Sequence, residues 1–452
     1  MSLRSWALLI VICMLPRAIG LSINREANDD HVQVVELWIA QGRYPDEKAC
    51  WECFQPPLFS ALQYAIARPL DLHDRTELIC VAHAINFALS VAILLLLAKQ
   101  INQFDITAKW KMLLFVFVAM NPKLIVINMQ ATNDTLLIAI GMALLDSLCR
   151  LPGRFDATSL SIVWLLAFAA AITKGNGLVL LFGTCGIVTV LVSITSSVNY
   201  FERTAILGLF LISLPVLSFE IGFYSDHYRQ NGTPFSINQE KAPPAQLISF
   251  DEYQGKRLGV RSIADCFLTF RLLNLLEYPS LNGDGLSYPE HRTSFWTLLY
   301  GQAFHAQFEN YPLSWRTSRF EVNWLARGLY VLGLCPFGML LAGTFIQLRQ
   351  RFVEFGQREW RLLASASILP LFFFAFLLFL VKYSIDYRDF ANIKVIFLFP
   401  AIPAFVSFIS SAIRQMSGRP IESVAAFVFA VICVGFVSNV ALLLFTLWCN
   451  PS

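Results

Sequence analysis

Residues 28–58, which read NDDHVQVVELWIAQGRYPDEKACWECFQPPL, form a polar stretch between the first apolar run of the chain and the many apolar runs that follow. The stretch holds two adjacent acids, a histidine, an amphipathic segment, a Cys-Trp-Glu-Cys cluster and a Gln-Pro-Pro sequence. Asp29, Asp30, His31, Glu52 and Gln55 would be costly to desolvate without partners or water. Such a group of polar side chains beside membrane spans predicts a functional site.

The composition of the whole chain is that of a polytopic membrane protein. Of its 452 residues, 56% are hydrophobic and 14% are charged, whereas a soluble chain has about 25% charged residues. This composition predicts a lipid bilayer as the surroundings of the protein. The basic residues form no clustered stripe, so the sequence predicts no nucleic acid as a partner. Most of the ten cysteines lie in apolar runs, where a thiol is typical of a small hydrophobic side chain.

Apolar runs of near-spanning length predict an all-α polytopic membrane protein with about eleven transmembrane helices. The predicted spans are Trp6–Leu21, Leu78–Ala98, Met112–Ile127, Leu136–Leu148, Leu160–Ile172, Leu178–Ile194, Ala205–Phe223, Trp324–Gln347, Leu362–Val381, Val395–Ile413 and Val424–Leu447. The first run has an alternative interpretation as a cleaved signal peptide, because Arg4 precedes it and Ala18-Ile19-Gly20 offers a small-residue cleavage site. We predict a membrane helix there.

Two short helices and one long loop complete the predicted organisation. Val32–Gln41 is amphipathic and too short to span, which favours the membrane interface, and Pro56-Pro57 is expected to begin a second short helix, Leu58–Ala67. Alternate short loops are rich in Lys and Arg, which predicts a cytoplasmic amino end and external loops at 22–77 and 224–323. We therefore expect an N-terminal module (1–223) that carries the first loop (22–77), a long external loop or cap (224–323) and C-terminal helices (324–452).

Acidic residues near the predicted external face are candidates for proton transfer. Asp29 or Asp30 could act as a general base toward an acceptor hydroxyl, although a solvated loop would show the same dipeptide. Asn133-Asp134 follows an external turn and begins a predicted helix. Asn and Asp are also common N-caps, so helix capping is the alternative at that place.

Cysteines and histidines raise the question of a metal or a disulfide. Cys50 and Cys53 have the Cys-x-x-Cys spacing, but no second such pair follows, which argues against a four-thiolate zinc site. A local disulfide and two incidental thiols both remain possible for this pair. Glu52 and His227 are the candidate metal ligands, and no metal is specified by the sequence.

Several cations lie near the predicted external ends of helices. Lys174 lies in a Thr-Lys-Gly-Asn-Gly turn, Arg388 and Lys394 lie in the last external loop, and Arg229 follows the seventh predicted span. Lys and Arg at the bilayer surface suit the phosphate of a lipid. Snorkelling of these side chains to the interface is the alternative for each of them.

Taken in order, these motifs resemble a family. An acidic pair after the first helix, then an interfacial helix, Glu-x-x-Gln-Pro-Pro-Leu, Asn-Pro, Asn-Asp and Thr-Lys-Gly-Asn-Gly are similar to the pattern of the GT-C glycosyltransferases, in the branch of the protein O-mannosyltransferases and the lipid A aminoarabinose transferases. The resemblance implies a GT-C fold with interfacial helices in the first external loop. The chain lacks the Trp-Trp-Asp-Tyr-Gly motif of oligosaccharyltransferases, which argues against transfer of a whole glycan.

The resemblance also implies a function. It implies that Asp29 or Asp30 is the catalytic acid of the first external loop and that Asp134 is a second acid, with Asp30 slightly preferred as base. His31, Glu52, Gln55, Asn133, Lys174, Arg229, Arg388 and Lys394 are then expected to bind substrate. The implied donor is a polyprenyl-phosphate sugar, the acceptor a lipid, glycan or protein hydroxyl, and the transfer inverting. The resemblance implies a multi-pass protein of the bacterial inner membrane or the endoplasmic reticulum, with its active site on the periplasmic or luminal side. Whether a divalent metal ion takes part is left open by the sequence.

Two functions of other classes compete with this one. A membrane transporter or lipid flippase would also explain polar groups near membrane depth, but no internal repeat is evident in the sequence. A non-catalytic membrane scaffold is the third hypothesis. Turnover of a lipid-phosphate sugar without any membrane gradient would separate the enzyme from both.

Overall fold

The computed structural model of the protein describes residues 1–27, 30–194, 199–234, 266–277, 279, 294–305, 323–356, 360–387 and 393–449. The helices of this part of the chain are α1 (Leu3–Ile23), α2 (His31–Gln41), α3 (Leu58–Ala67), α4 (Arg75–Gln103), α5 (Ala108–Ala119), α6 (Pro122–Asn128), α7 (Asp134–Arg150), α8 (Ala157–Ala171), α9 (Gly177–Ile194), α10 (Tyr200–Ile221), α11 (Tyr224–Asn231), α12 (Leu272–Glu277), α13 (Phe295–Phe304), α14 (Asn323–Leu332), α15 (Leu334–Gly356), α16 (Trp360–Tyr387), α17 (Ile402–Met416) and α18 (Pro420–Cys449). A 3₁₀ segment, Val395–Ala401, leads directly into α17.

The prediction of an all-helical, multi-pass membrane protein is confirmed. Within the described ranges, nine helices are long and apolar enough to cross a membrane, and a bent pair makes ten if it counts as one span. Helix α8 occupies the place of the predicted fifth span, but its 15 residues fall short of the length that a straight span needs. Both short helices of the first loop are also present, as α2 and α3.

The third predicted span is not continuous. Helices α5 and α6 meet at an angle of 53°, because Pro122 cannot continue the hydrogen-bond ladder of α5 and begins a new helix instead. Asn121 caps that new helix, since its Oδ1 accepts from the backbone N–H groups of Lys123 (3.1 Å) and Leu124 (3.2 Å). The predicted span Met112–Ile127 is therefore present as two helices with a bend between them.

The first helix is part of the packed interior. Helix α1 runs through Pro16, and the side chain of Arg17 is fully buried. Its guanidinium donates to the carbonyl of Ala119 (2.9 Å) and to Oδ1 of Asn128 (2.9 Å). These contacts join α1 to α5 and α6.

The 3₁₀ segment packs closely against α7. A Cβ atom on Gly141 of α7 would lie 2.7 Å from Cβ of Pro400, so only glycine allows these backbones to come so near. Lys394 directly precedes that segment, and Pro400 lies within it. The amino-terminal half of α7 and the residues that follow Lys394 are therefore neighbours.

One span contains a π-helical turn whose carbonyls are satisfied by neighbouring helices. Within α10, residues Leu209–Ser213 are π-helical. Nε1 of Trp164 donates to the carbonyl of Leu209 at 3.3 Å, and the thiol of Cys185 donates to that of Phe210 at 2.9 Å. Because a bilayer offers no water to such groups, these donors stabilise the irregular turn.

Candidate functional site

The centre of the candidate site is a buried ion pair. Nζ of Lys174 lies 2.8 Å from Oδ1 of Asp134, and both side chains are largely buried. The hydroxyl of Thr132 donates to the other carboxylate oxygen at 3.2 Å. Asp134 thus has one oxygen on an ammonium group and one on a hydroxyl, which stabilises its charged form and fixes its direction.

The neighbouring residues of this pair also contact each other. Nδ2 of Asn133 donates to the backbone carbonyl of Thr173 at 3.2 Å. Asn133 stands at the N-cap position of α7 but makes no capping hydrogen bond with its side chain, so the capping interpretation is wrong for this residue. Asn133 and Asp134, at the start of α7, therefore hold Thr173 and Lys174, which follow α8.

The carboxyl end of α8 is the place where three segments meet. The hydroxyl of Tyr224 donates to the carbonyl of Ala171 (2.7 Å), and the backbone N–H of Leu58 donates to that of Ile172 (2.9 Å). Burial raises the pKa of the Tyr224 phenol, which keeps it a neutral donor. Together with Asn133 these groups satisfy carbonyls that a helix leaves unpaired at its end. The turn that carries Lys174 is thereby fixed from three sides.

A second cation reaches the site from the carboxyl-terminal part of the chain. The charge of Lys394 acts on the Asp134 carboxylate. The side-chain amide of Gln302 holds the backbone on both sides of Lys394, donating to the carbonyl of Ile393 (2.8 Å) and accepting from N–H of Val395 (2.9 Å). The lysine is therefore carried by an anchored segment.

An aromatic ring from the same segment lies against the first cation. Nζ of Lys174 lies 5.7 Å from the centre of the Phe397 ring, a distance at which a ring face attracts a cation. This contact adds a further constraint on the direction of the lysine. It also links the Lys394 segment directly to the ion pair.

The first loop contributes a buried histidine and glutamate. Nε2 of His31 lies 3.8 Å from Oε2 of Glu52, and both side chains are almost fully buried. The ring of His31 packs edge-on against Phe59 of α3, and the electrostatic influence of His31 reaches Asp134. Lys174 thus pairs with the Asp134 carboxylate, and Lys394 and His31, from two other parts of the sequence, act on it electrostatically.

A disulfide holds Glu52 in place. Cys50 and Cys53 are bonded to each other, so of the two possibilities for this pair the structure adopts the disulfide. Trp51, between them, is exposed, while Glu52 and Cys53 are buried. The four-residue loop turns the glutamate inward and the tryptophan outward.

Asp30 lies at the edge of this cluster and has a cationic partner. Its carboxylate receives a hydrogen bond from Arg75, the first residue of α4, and Arg75 also donates to Glu36 at 2.8 Å. The side chains of Asp30 and Arg75 are 42% and 46% exposed, so this pair is open to water. Asp29 and Arg388, which the sequence also predicted as site residues, lie outside the described residues.

The other predicted residues are dispersed around the first loop. Gln55 is half-buried, and its backbone carbonyl accepts from the hydroxyl of Tyr44 at 3.2 Å; burial raises the pKa of that phenol and keeps it protonated. His227 lies 3.6 Å from Glu47 and Arg229 is exposed beside Asp226. The structure does not bring these three side chains to the Asp134–Lys174 pair.

The two candidate metal ligands belong to different pairs. Glu52 contacts His31, whereas His227 contacts Glu47. Among the described residues no three His, Cys, Asp or Glu side chains are grouped so that they could hold a metal ion. The described side chains therefore do not form a metal site, and we derive no step through one.

Sequence reasoning missed three residues that shape the site. Arg75, Phe397 and Thr132 contact Asp30, Lys174 and Asp134, respectively. Arg75 directly precedes a long apolar run, where an interfacial anchor is the ordinary expectation. The ring of Phe397 and the hydroxyl of Thr132 carry no sequence signal, because their contacts depend on how the helices are rotated.

The chemistry that this arrangement allows is the binding of an anion beside a proton acceptor. The ammonium group of Lys174 pairs with the Asp134 carboxylate, and the charge of Lys394 acts on the same carboxylate. The three side chains together carry a net charge of +1, which suits a singly charged phosphodiester. The acidic first loop lies next to them and supplies carboxylates and a histidine.

Comparison with known proteins gives a distant structural likeness. No protein-family model and no curated protein matches the chain. The structure is similar to ArnT from Cupriavidus metallidurans bound to undecaprenyl phosphate, with 12% identity, a TM-score of 0.46 and coverage of 99% of this chain and 78% of that one. The same identity and coverage hold for ArnT in the apo state, with a TM-score of 0.49.

Proposed function

We propose that this multi-pass membrane protein is a glycosyltransferase that moves a sugar from a polyprenyl-phosphate donor to a hydroxyl acceptor on the outer side of the membrane. The observation that carries the proposal is the buried pair of Lys174 and Asp134 with Lys394 beside it. A buried charge cluster is costly and is retained where it does chemical work. The order of motifs along the chain, which resembles the GT-C glycosyltransferases, supports the same function.

The proposed reaction is a single displacement at the anomeric carbon. The acceptor oxygen attacks that carbon, its proton passes to a carboxylate of the first loop, and the bond between the carbon and the phosphate oxygen breaks. The lipid phosphate leaves with the electron pair of that bond. One displacement inverts the anomeric centre.

The two lysines are proposed to stabilise the leaving phosphate. Negative charge grows on the phosphate oxygens as the sugar departs, so ammonium groups fixed in advance lower the barrier. Lys174 is fixed by Asp134 and by the ring of Phe397, and Lys394 is fixed by its anchored backbone. The proposed role of Asp134 is to hold Lys174 and to tune the charge of the pocket.

Asp29 and Asp30 remain the candidates for the base. Arg75 donates to Oδ1 of the Asp30 carboxylate, which leaves Oδ2 as the oxygen that would receive a proton. Separate replacement of the two acids is therefore needed.

Single-turnover transfer tests the proposal. Purified protein in detergent, with no membrane gradient, is mixed with polyprenyl phosphates that carry different sugars, and released lipid phosphate is measured. We expect turnover with one donor, and a loss of about 10²–10⁴ in rate when the base is replaced in Asp29→Asn or Asp30→Asn. Asp105→Asn, which changes an exposed acid between α4 and α5, is the control. If no donor reacts but sealed vesicles with the protein move the lipid across the membrane, the flippase hypothesis replaces this one.

A further inference from the structure

One face of the first helix contacts the broken region that precedes Asp134. Arg17, Gly20 and Asn24 are spaced three and four residues apart, which places them on one side of α1. Arg17 donates to the carbonyl of Ala119, the last residue of α5, and to Oδ1 of Asn128, the last residue of α6. Helix α1 is thereby joined to both helices of the bent pair.

The same face reaches the turn between α6 and α7. A Cβ atom on Gly20 would lie 1.8 Å from Sδ of Met129, so the side chain of Met129 packs directly on the backbone of α1 at this glycine. Nδ2 of Asn24 donates to the carbonyl of Met129 at 2.8 Å. Asn24 is only 3% exposed, so this bond is made away from water.

A second buried asparagine holds the same turn from the other side. Nδ2 of Asn86, on α4, donates to the carbonyls of Gln130 and Thr132, the latter at 3.0 Å. Asn86 is fully buried. The backbone of residues 129–132 is not helical, so its carbonyls need partners from elsewhere. The two asparagines supply those partners for three of them.

The turn is connected to the site through Thr132. Its carbonyl is held by Asn86, and its hydroxyl donates to Oδ2 of Asp134. The other carboxylate oxygen binds Lys174. A displacement of the turn would therefore rotate the carboxylate and loosen its pair with the lysine.

We propose that Asn24 and Asn86 are positioning residues, which fix the turn of residues 129–132 and thereby direct the Asp134 carboxylate at Lys174. The inference concerns how the pocket is built, and its effect on transfer rests on the proposed function. Neither asparagine needs to contact a substrate for this role. Helix α1 is on this account a supporting wall of the site as well as a membrane span.

Chemical labelling of Lys174 tests the geometry without any assay of transfer. Purified Asn24→Ala and Asn86→Ala are treated with an amine-reactive reagent, and modification of Lys174 is followed by mass spectrometry. We expect faster labelling than in the wild type, because the lysine loses its fixed partner. Gln347→Ala is the matched control, since it removes a buried amide that binds Ser407 and Ser411 instead. Wild-type labelling rates in both asparagine variants, with the proteins folded and monodisperse, would overturn the proposal.

A double-mutant cycle tests the route through Asp134. A small misplacement of a catalytic group can cost about 10²-fold in rate, so a loss of that order is expected in kcat for each asparagine variant. In an Asp134→Asn background the same replacements should cause little further loss, because the group they direct is gone. Fully additive losses would reduce the asparagines to general structural support. If Asn86→Ala does not fold, the cycle can still be measured with Asn24→Ala, which removes one hydrogen bond to the turn.

The two experiments separate this inference from the function on which it rests. If the wild type transfers no sugar from any donor, the proposed function fails, while the labelling of Lys174 still decides the positioning role. If the wild type is active and labelling is unchanged, the function stands and the positioning role fails.

Discussion

Nζ of Lys174 lies 2.8 Å from Oδ1 of Asp134, across 40 positions of sequence. The contact joins the turn between α8 and α9 to the first residue of α7. Burying both charges carries a desolvation cost that an exposed ion pair does not have. Good geometry and additional hydrogen bonds offset only part of that cost. A pair of this kind is therefore sensitive to the loss of either partner.

The first prediction concerns the contribution of that pair to the free energy of unfolding of the protein. Lys174→Met leaves the Asp134 carboxylate buried without its ammonium partner, and we expect a loss of about 3–5 kcal/mol. The double variant Asp134→Asn with Lys174→Met removes both charges and should recover a large part of this loss. Thermal unfolding in detergent, followed by tryptophan fluorescence, measures both. A double variant as unstable as the sum of the single ones would contradict the buried pair.

The second prediction concerns the cation beside the pair. Lys394→Ala should weaken binding of a polyprenyl phosphate, since it removes one of the two ammonium groups that offset the phosphate charge. Lys394→Arg keeps the charge and should bind more nearly as the wild type does. Lys109→Ala, at an exposed position at the start of α5, controls for the general loss of a positive charge. Equal binding by all four proteins would assign Lys394 to membrane anchoring alone.

The membrane spans were the most predictable part of the fold. Apolar length and composition place them almost directly: the predicted run Leu178–Ile194 is found as Gly177–Ile194. The bend at Asn121 was harder to predict from the sequence, because apolar residues continue on both sides of it and together reach the length of a span. Whether a proline in such a run starts a new helix depends on the capping bonds that its neighbours can form.

The candidate site was predictable as a set of residues and not as a set of contacts. Asp134, Lys174, Lys394 and His31 were all singled out from motifs; in the structure Lys174 pairs with Asp134, and Lys394 and His31 act electrostatically on its carboxylate. Which partner each of them has was not predictable, since it depends on helix rotation and on how the loops pack. Asn133 shows the difference, because its side chain contacts Thr173 although its position in the sequence suggested a cap.

The third prediction is a pH dependence that arises away from the site. Burial lowers the pKa of His305 from 6.5 to about 4, and Nδ2 of Asn439 lies 3.4 Å from its Nε2. The folded state favours the neutral ring, so this contribution to stability is fully present above pH 6.5 and is lost as the pH falls toward 4. At full protonation the loss is on the order of 3 kcal/mol.

A variant isolates the contribution of this histidine. His305→Gln keeps a polar side chain but does not titrate, so its unfolding midpoint should fall less steeply than that of the wild type between pH 6.5 and 4. The difference between the two pH profiles is the measured quantity. Parallel profiles would show that His305 does not carry this dependence.

The last prediction concerns the disulfide that presents Glu52. Because Cys50 and Cys53 bracket Glu52 and hold it beside His31, opening the bond should free the glutamate from its buried place. We expect reduction by a dithiol to lower the rate of sugar transfer, by up to about 10²-fold if the glutamate moves by an ångström or more. The double variant Cys50→Ser with Cys53→Ser should start at the lowered rate and respond no further to the reductant, which separates this effect from reactions at other thiols. Equal rates for oxidised and reduced wild type, with both thiols shown free by mass spectrometry, would mean that packing of the first loop holds Glu52 without the covalent bond.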